Sequence, residues 1–211
     1  MPRLEELDIQ AGLWAFSETL EALGAEGAWE RLHSLRLFQH SMDVPDARAL
    51  AAALRRMPAL RVLELRCVTF TDASAAELFR PSGAEDVPHL RILTAWGAGL
   101  TPAATGALAA SGWRLEELDL GNSRALGAAG VAALLAAPTL PLRRLALGSC
   151  NIDADALLRL ADAPWPLEEL VLNNNSSFME ELVLNNNSSL KAQGSAPPTS
   201  RCSRAERGRR S

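Results

Sequence analysis

Leucines along this chain fall into a recurring frame. Leu115, Leu118 and Leu120 stand in an LxxLxL spacing, and Leu142, Leu145 and Leu147 repeat it. Alternation within each triplet puts the leucines on one side of an extended chain and the residues between them on the other, which is the period of a strand. A polar turn follows each triplet, Gly121-Asn122-Ser123 and Gly148-Ser149-Cys150, and an Ala/Leu run that reads as a helix follows the first. A unit of strand, turn and helix cannot bury its own apolar face, so it predicts neighbours. They can be read at Leu4/Leu7/Ile9, Leu32/Leu35/Leu37, Leu60/Leu63/Leu65, Leu90/Leu93/Ala95, Leu167/Leu170/Leu172 and Met179/Leu182/Leu184. Successive triplets begin 25 to 30 residues apart, except the last pair, which begin 12 apart.

The intervals leave room for a helix after each strand. Leu13, Phe16, Leu20 and Leu23 make a helical face in the first. In the second, Pro45 suits a first helical turn, Leu50 and Leu54 line a helix over residues 47–57, and Pro58 ends it. Thr71-Asp72 caps a helix over 73–79, with a loop at 81–87, and Thr101-Pro102 opens one over 103–110. Asp153 caps the sixth, lined by Leu157, Leu158 and Leu160. Trp14, Trp29, Trp113 and Trp165 fall in these helices or just before strands and are expected in the core. Ala95 replaces a leucine anchor and predicts a slightly underpacked layer.

The regular text stops near residue 168. Glu-Glu-Leu-Val-Leu-Asn-Asn-Asn-Ser-Ser occupies 168–177 and again 180–189. Twelve residues give a strand and a turn but no returning helix. The second copy is therefore either a tandem duplication of sequence or a short terminal strand carrying Leu182 and Leu184. Residues 191–211 lack apolar periodicity and read as a disordered basic tail. Domain organisation is thus one repeat domain over 1–190 and a tail over 191–211. At the other end the pattern is entered at Leu4 in mid-frame, which reads as an exposed edge or as a fragment of a longer array.

Charge and cysteine content narrow the function classes. The net charge of −4 conceals an asymmetry, since 191–211 carry +5 and 1–190 therefore carry −9. An acidic body of that size argues against specific nucleic-acid binding. Cys67, Cys150 and Cys202 are odd in number and far apart, giving neither a disulfide framework nor a metal spacing. No apolar run approaches a membrane span, and residues 1–30 show no basic start followed by an apolar core. The expected setting is cytoplasmic, with the nucleus also open, and the two Asn-x-Ser motifs at 174–176 and 186–188 then carry no sugar.

The run Leu142-x-x-Leu145-x-Leu147-x-x-Cys150-x-Ile152, together with Leu115 to Gly130, resembles the ribonuclease-inhibitor-like and cysteine-containing branches of the leucine-rich repeat superfamily. The resemblance covers roughly 1–190. It implies an α/β leucine-rich repeat solenoid, with parallel strands on the concave face and helices on the convex face. It also implies a protein–protein interaction module acting as scaffold or recognition surface. The alternatives it brings are the substrate-recognition part of a ubiquitin ligase and a regulator of a small GTPase. The ninth position of each unit, often Asn or Cys in the family, here reads Gly12, His40, Val68, Ala98, Ser123, Cys150, Asn175 and Asn187. A ladder of turn-satisfying asparagines is therefore missing until the duplicated end.

Catalysis would need convergent ionisable groups. His33, His40 and His89 occupy different frame positions without an Asp or Cys at ligand spacing, and Gly127-Ala128-Ala129-Gly130 lacks the Lys and Ser/Thr of a phosphate loop. The expectation is no enzyme, no cofactor and no metal, with another protein as partner. The residues between anchors face away from the core, and Phe38, Arg66 and Trp96 share one column in three consecutive strands. Aromatic and arginine side chains dominate binding hot spots, so this column is the candidate protein-binding site. Two readings of Trp96 stand, an interface anchor or a ring folded over the Ala95 layer or the neighbouring turn.

Overall fold

The computed structural model describes residues 4–10, 16–25, 29–81, 87, 89–136 and 140–175. Seven strands form one parallel sheet: β1 (Glu6–Gln10), β2 (Ser34–Phe38), β4 (Val62–Arg66), β6 (Ile92–Thr94), β7 (Glu117–Asp119), β8 (Arg144–Ala146) and β9 (Glu169–Val171). They lie side by side in chain order. A two-stranded accessory sheet joins β3 (Ser41–Met42) to β5 (Thr69–Phe70). The helices are α1 (Phe16–Ala25), α2 (Val44–Leu54), α3 (Asp72–Leu78), α4 (Pro102–Ala110), α5 (Gly127–Leu135) and α6 (Ala154–Ala161), each packed against the next.

Register follows the leucine anchors. Leu35 pairs with Leu63, Leu63 with Leu93, Leu93 with Leu118, Leu118 with Leu145 and Leu145 with Leu170. Every one of them is buried, and with Leu50, Leu78, Leu108, Leu134 and Leu160 of the helices they form one continuous core. A slip of one residue would turn every anchor to the opposite face, so burial of this series fixes the pairing. One residue past β2 and β4, and three past β6, β7, β8 and β9, the chain takes a left-handed conformation: Gln39, Cys67, Gly97, Asn122, Ser149 and Asn174 all have φ between 52° and 68°. Five of these six are not glycine, and each costs roughly 1–2 kcal/mol of backbone strain. The repeated turn directs the chain out of the sheet toward the helix layer.

Helix starts follow the capping residues. Side chains of Asp43, Thr71, Thr101 and Asp153 accept from the backbone N–H of Asp46, Ser74, Ala104 and Ala156. The helix expected over 47–57 begins earlier, at Val44, because Asp43 caps it. Leu158 faces outward and is 62% exposed, contrary to expectation, while Leu157 and Leu160 are buried. Ala95 is fully buried. Trp29, Trp113 and Trp165 are core residues, and Trp113 packs edge-on against Phe79. Leu13, Trp14, the Met179/Leu182/Leu184 triplet, the second duplicated copy and the basic stretch 191–211 lie outside the described residues.

The resemblance to the leucine-rich repeat superfamily is corrected on architecture. The strands make a single contiguous parallel sheet that is not curled into a horseshoe, so the curved solenoid with concave and convex faces is replaced by an open α/β layer. It is Rossmannoid in the broad sense of parallel strands joined by interspersed helices. The repeat and solenoid description falls with the curl. The physical reason is that an LxxLxL triplet encodes which residues of a strand are buried, whereas curling depends on the relative spacing of the strand and helix layers. Unlike a doubly wound sheet, this one has strand order that follows chain order throughout, so no topological switch point opens a crevice at the strand ends.

Candidate binding face

Parallel sheets are ordinarily covered on both faces. Here the anchors alternate with residues on the opposite face that are half-buried or exposed, except Ser34 and Ala146, which are buried, and the described helices pack with the anchors into one core on the other side. Three columns of side chains run across it. The first reads Glu6, Ser34, Val62, Ile92, Glu117, Arg144 and Glu169. The second reads Asp8, Arg36, Glu64, Thr94, Asp119, Ala146 and Val171. The third contains the sequence candidates.

Phe38 and Arg66 are direct strand partners. Cys67 N donates to Trp96 O at 2.8 Å and Gln39 N donates to Arg66 O at 3.0 Å, which carries the ladder past the strand ends and sets Trp96 beside Arg66. Phe38, Arg66 and Trp96 are therefore neighbours, each half-buried. The column continues to Gly121 and Gly148, and the neighbouring side chains need those glycines. A methyl group on Gly121 would stand 2.9 Å from Trp96 Cδ1 and 3.0 Å from Asp119 Oδ1, and one on Gly148 would stand 2.6 Å from Asn173 Oδ1. Trp96 thus lies over the next strand's turn rather than over Ala95, whose side chain points to the opposite, buried face.

Ion pairs tie most of the charge together. Arg36 reaches Glu6 at 2.9 Å, Glu64 at 3.2 Å and Asp8 at 3.3 Å. Arg66 holds Glu64 at 2.7 Å, and Arg144 lies 2.9 Å from Glu169 and 3.9 Å from Glu117. Asp119 differs. Its carboxylate accepts from Gly121 N at 2.8 Å, and it has no ion pair among the described residues. Burial raises its pKa above the ordinary carboxylate range, a shift partly offset by the Gly121 hydrogen bond and by the more distant Arg144 and Arg66. Sequence reasoning passed over Asp119. The signal was available, since the second column flanks it with Thr94 and Ala146 and so places no cation directly opposite.

Other candidates resolve into structure. His40 Nε2 lies 2.8 Å from Asp46 Oδ2 and its ring packs on Phe16, bracing the start of α2. Cys150 is fully buried, its thiol donates to Leu120 O at 3.1 Å, and burial pushes its pKa up to about 11, the behaviour of a small core residue. Asn175 closes the last described turn: its Oδ1 accepts from Cys150 N and Ile152 N, and its Nδ2 donates to Leu147 O and Leu172 O. Cys67 is disulfide-bonded, which the cysteine spacing did not suggest. Among the described residues, no group of three or more His, Cys, Asp or Glu could hold a metal ion, and no helix is long and apolar enough to cross a membrane.

The function inferred from the resemblance is corrected with the fold. An interaction solenoid, and with it the ubiquitin-ligase and GTPase-regulator readings, rested on the curled array, whereas the contiguous sheet has the architecture of a globular α/β domain of the kind enzymes use. Neither the family models nor the curated proteins compared with this chain match it.

Proposed function

We propose that this chain is a globular α/β binding domain that uses the uncovered face of its sheet, centred on Phe38, Arg66 and Trp96, to take a segment of another protein. The observation that supports it most is the bare parallel face itself, where two half-buried aromatic rings flank an arginine and an ion-pair lattice surrounds them. Such a centre loses water on contact while the charged rim sets orientation. Binding without turnover and without a cofactor is part of this reading, as is the absence of specific nucleic-acid recognition, which the acidic body disfavours. The test is a photo-crosslinking side chain placed at Val62 on the face or at Arg48 on the helix layer, in cells. Protein adducts from position 62 and none from position 48 are expected, and the reverse pattern would sink the proposal.

A catalytic use of the α/β layer is the second reading, favoured by Asp119, because a carboxyl with a raised pKa is what an acid–base site requires. Recovery of bound peptide unchanged after prolonged incubation supports binding, and a processed peptide supports catalysis. A cytoplasmic setting belongs to the proposal as well. There the Cys67 disulfide would face a reducing pool, and thiol labelling in fresh extracts decides whether it persists.

A further inference from the structure

The charge on the bare face does not balance, and the imbalance is concentrated at one place. Six carboxylates (Glu6, Asp8, Glu64, Glu117, Asp119 and Glu169) share the face with three guanidinium groups. Arg36, Arg66 and Arg144 are engaged by the other five, as the distances above show, and among the described residues Asp119 has a single backbone donor and no ion pair, with Arg144 and Arg66 acting on it only from farther off. A half-buried carboxylate without a counter-cation is unfavourable, and a cation brought to it would relieve that cost. The same spot has an aromatic wall. Trp96 and Asp119 converge on Gly121, each about 3 Å from where a side chain there would begin, so an indole ring and a carboxylate with no ion pair among the described residues adjoin one another. Guanidinium and ammonium groups are attracted to both.

We infer that the occupant of this face is an extended basic segment of a partner protein, one of whose arginine or lysine side chains seats against Trp96 and pairs with Asp119. The inference rests on the binding reading above and specifies its chemistry. The net negative face attracts such a segment and speeds its encounter, and the Trp96–Asp119 notch holds one residue of it. The chain's own residues 191–211 are basic too, which makes them the natural competitor for the same place.

The experiment uses the full chain and a fluorescent peptide of alternating arginine and serine, with a glutamate–serine counterpart, followed by anisotropy. Saturable one-to-one binding of the basic peptide alone is expected. Asp119→Asn keeps the oxygen that accepts from Gly121 N, so the turn is preserved, and it should weaken binding about tenfold. Glu77→Gln on α3 removes the same charge from the helix layer and should leave affinity unchanged. Equal weakening by both variants, or none by Asp119→Asn, would overturn the inference. If neither peptide is preferred while crosslinks still form at position 62, charge selection fails and the binding face stands. If those crosslinks also disappear, both fail. Crosslinks from position 62 into residues 191–211, with no uptake of added peptide, would assign the notch to the chain's own basic end and overturn a partner in trans.

Discussion

Replacing Leu145 by alanine tests the packing on which the whole face depends. Leu145 is fully buried at the centre of β8, in register with Leu118 on one side and Leu170 on the other. Truncation removes three carbons, worth about 0.8 kcal/mol each in transfer free energy, or about 2.4 kcal/mol together. The hole left behind adds to this, because β8 is hydrogen-bonded to a strand on both sides and cannot move in to fill it. Measured leucine-to-alanine changes in such settings reach about 5 kcal/mol, and a value of about 3–4 kcal/mol is expected here. For a chain of this size that corresponds to a fall of roughly 6–16 °C in melting temperature. Glu117→Ala is the matched control from the adjacent strand. Glu117 is 42% exposed and its nearest guanidinium is 3.9 Å away, so its removal should change stability by no more than about 0.5 kcal/mol. Urea titration of both variants, followed by circular dichroism, provides the comparison. Equal midpoint shifts would refute the register and the assignment of the two faces.

Asn175→Ala should cost about 2–3 kcal/mol, read in the same titration, because it strips two backbone donors and two carbonyls of their shared partner, and a loss below about 0.5 kcal/mol would show that water replaces it. Asp119 has a folded-state pKa above its unfolded value, so the folded chain binds this proton more tightly. Its ionised form therefore lowers stability above the raised pKa, and the penalty disappears as pH falls below the ordinary carboxylate value. Asp119→Asn should accordingly raise the melting temperature at neutral pH and lose that advantage in acid, and an advantage that grows in acid would contradict the burial argument.

Much of the layer could be read from the chain because its signals are local. A leucine triplet with polar alternation can be buried in only one way, and Leu35, Leu63, Leu93, Leu118, Leu145 and Leu170 are the row it predicts. Capping by Thr71, Thr101 and Asp153 was equally legible, since each cap lies within its own sequence window. Properties that depend on several strands at once were not. The shape of the sheet arises from small angles between neighbours that no triplet encodes, and the interaction function inferred from a curled array was lost with that shape. The Phe38, Arg66 and Trp96 column is assembled as the alternation required, yet the sequence could not show that Arg66 is held by Glu64. Nor could it show that Arg36 gathers three carboxylates, and so that Asp119 is the one left over. Leu158 is misread for a related reason: in a helix lined by Leu157, Leu158 and Leu160, only two of the three can face the sheet.

The most direct test of the binding face is the indole N–H spectrum of the full chain during titration with the arginine–serine peptide. Trp96 is half-buried on the open face, whereas Trp29, Trp113 and Trp165 are core residues. Assigned by single substitution, the Trp96 resonance should shift progressively to saturation while those three stay fixed, and Asp119→Asn should move the midpoint to about tenfold higher peptide. A Trp96 resonance that stays in place while peptide binds, or shifts confined to the core tryptophans, would contradict the account.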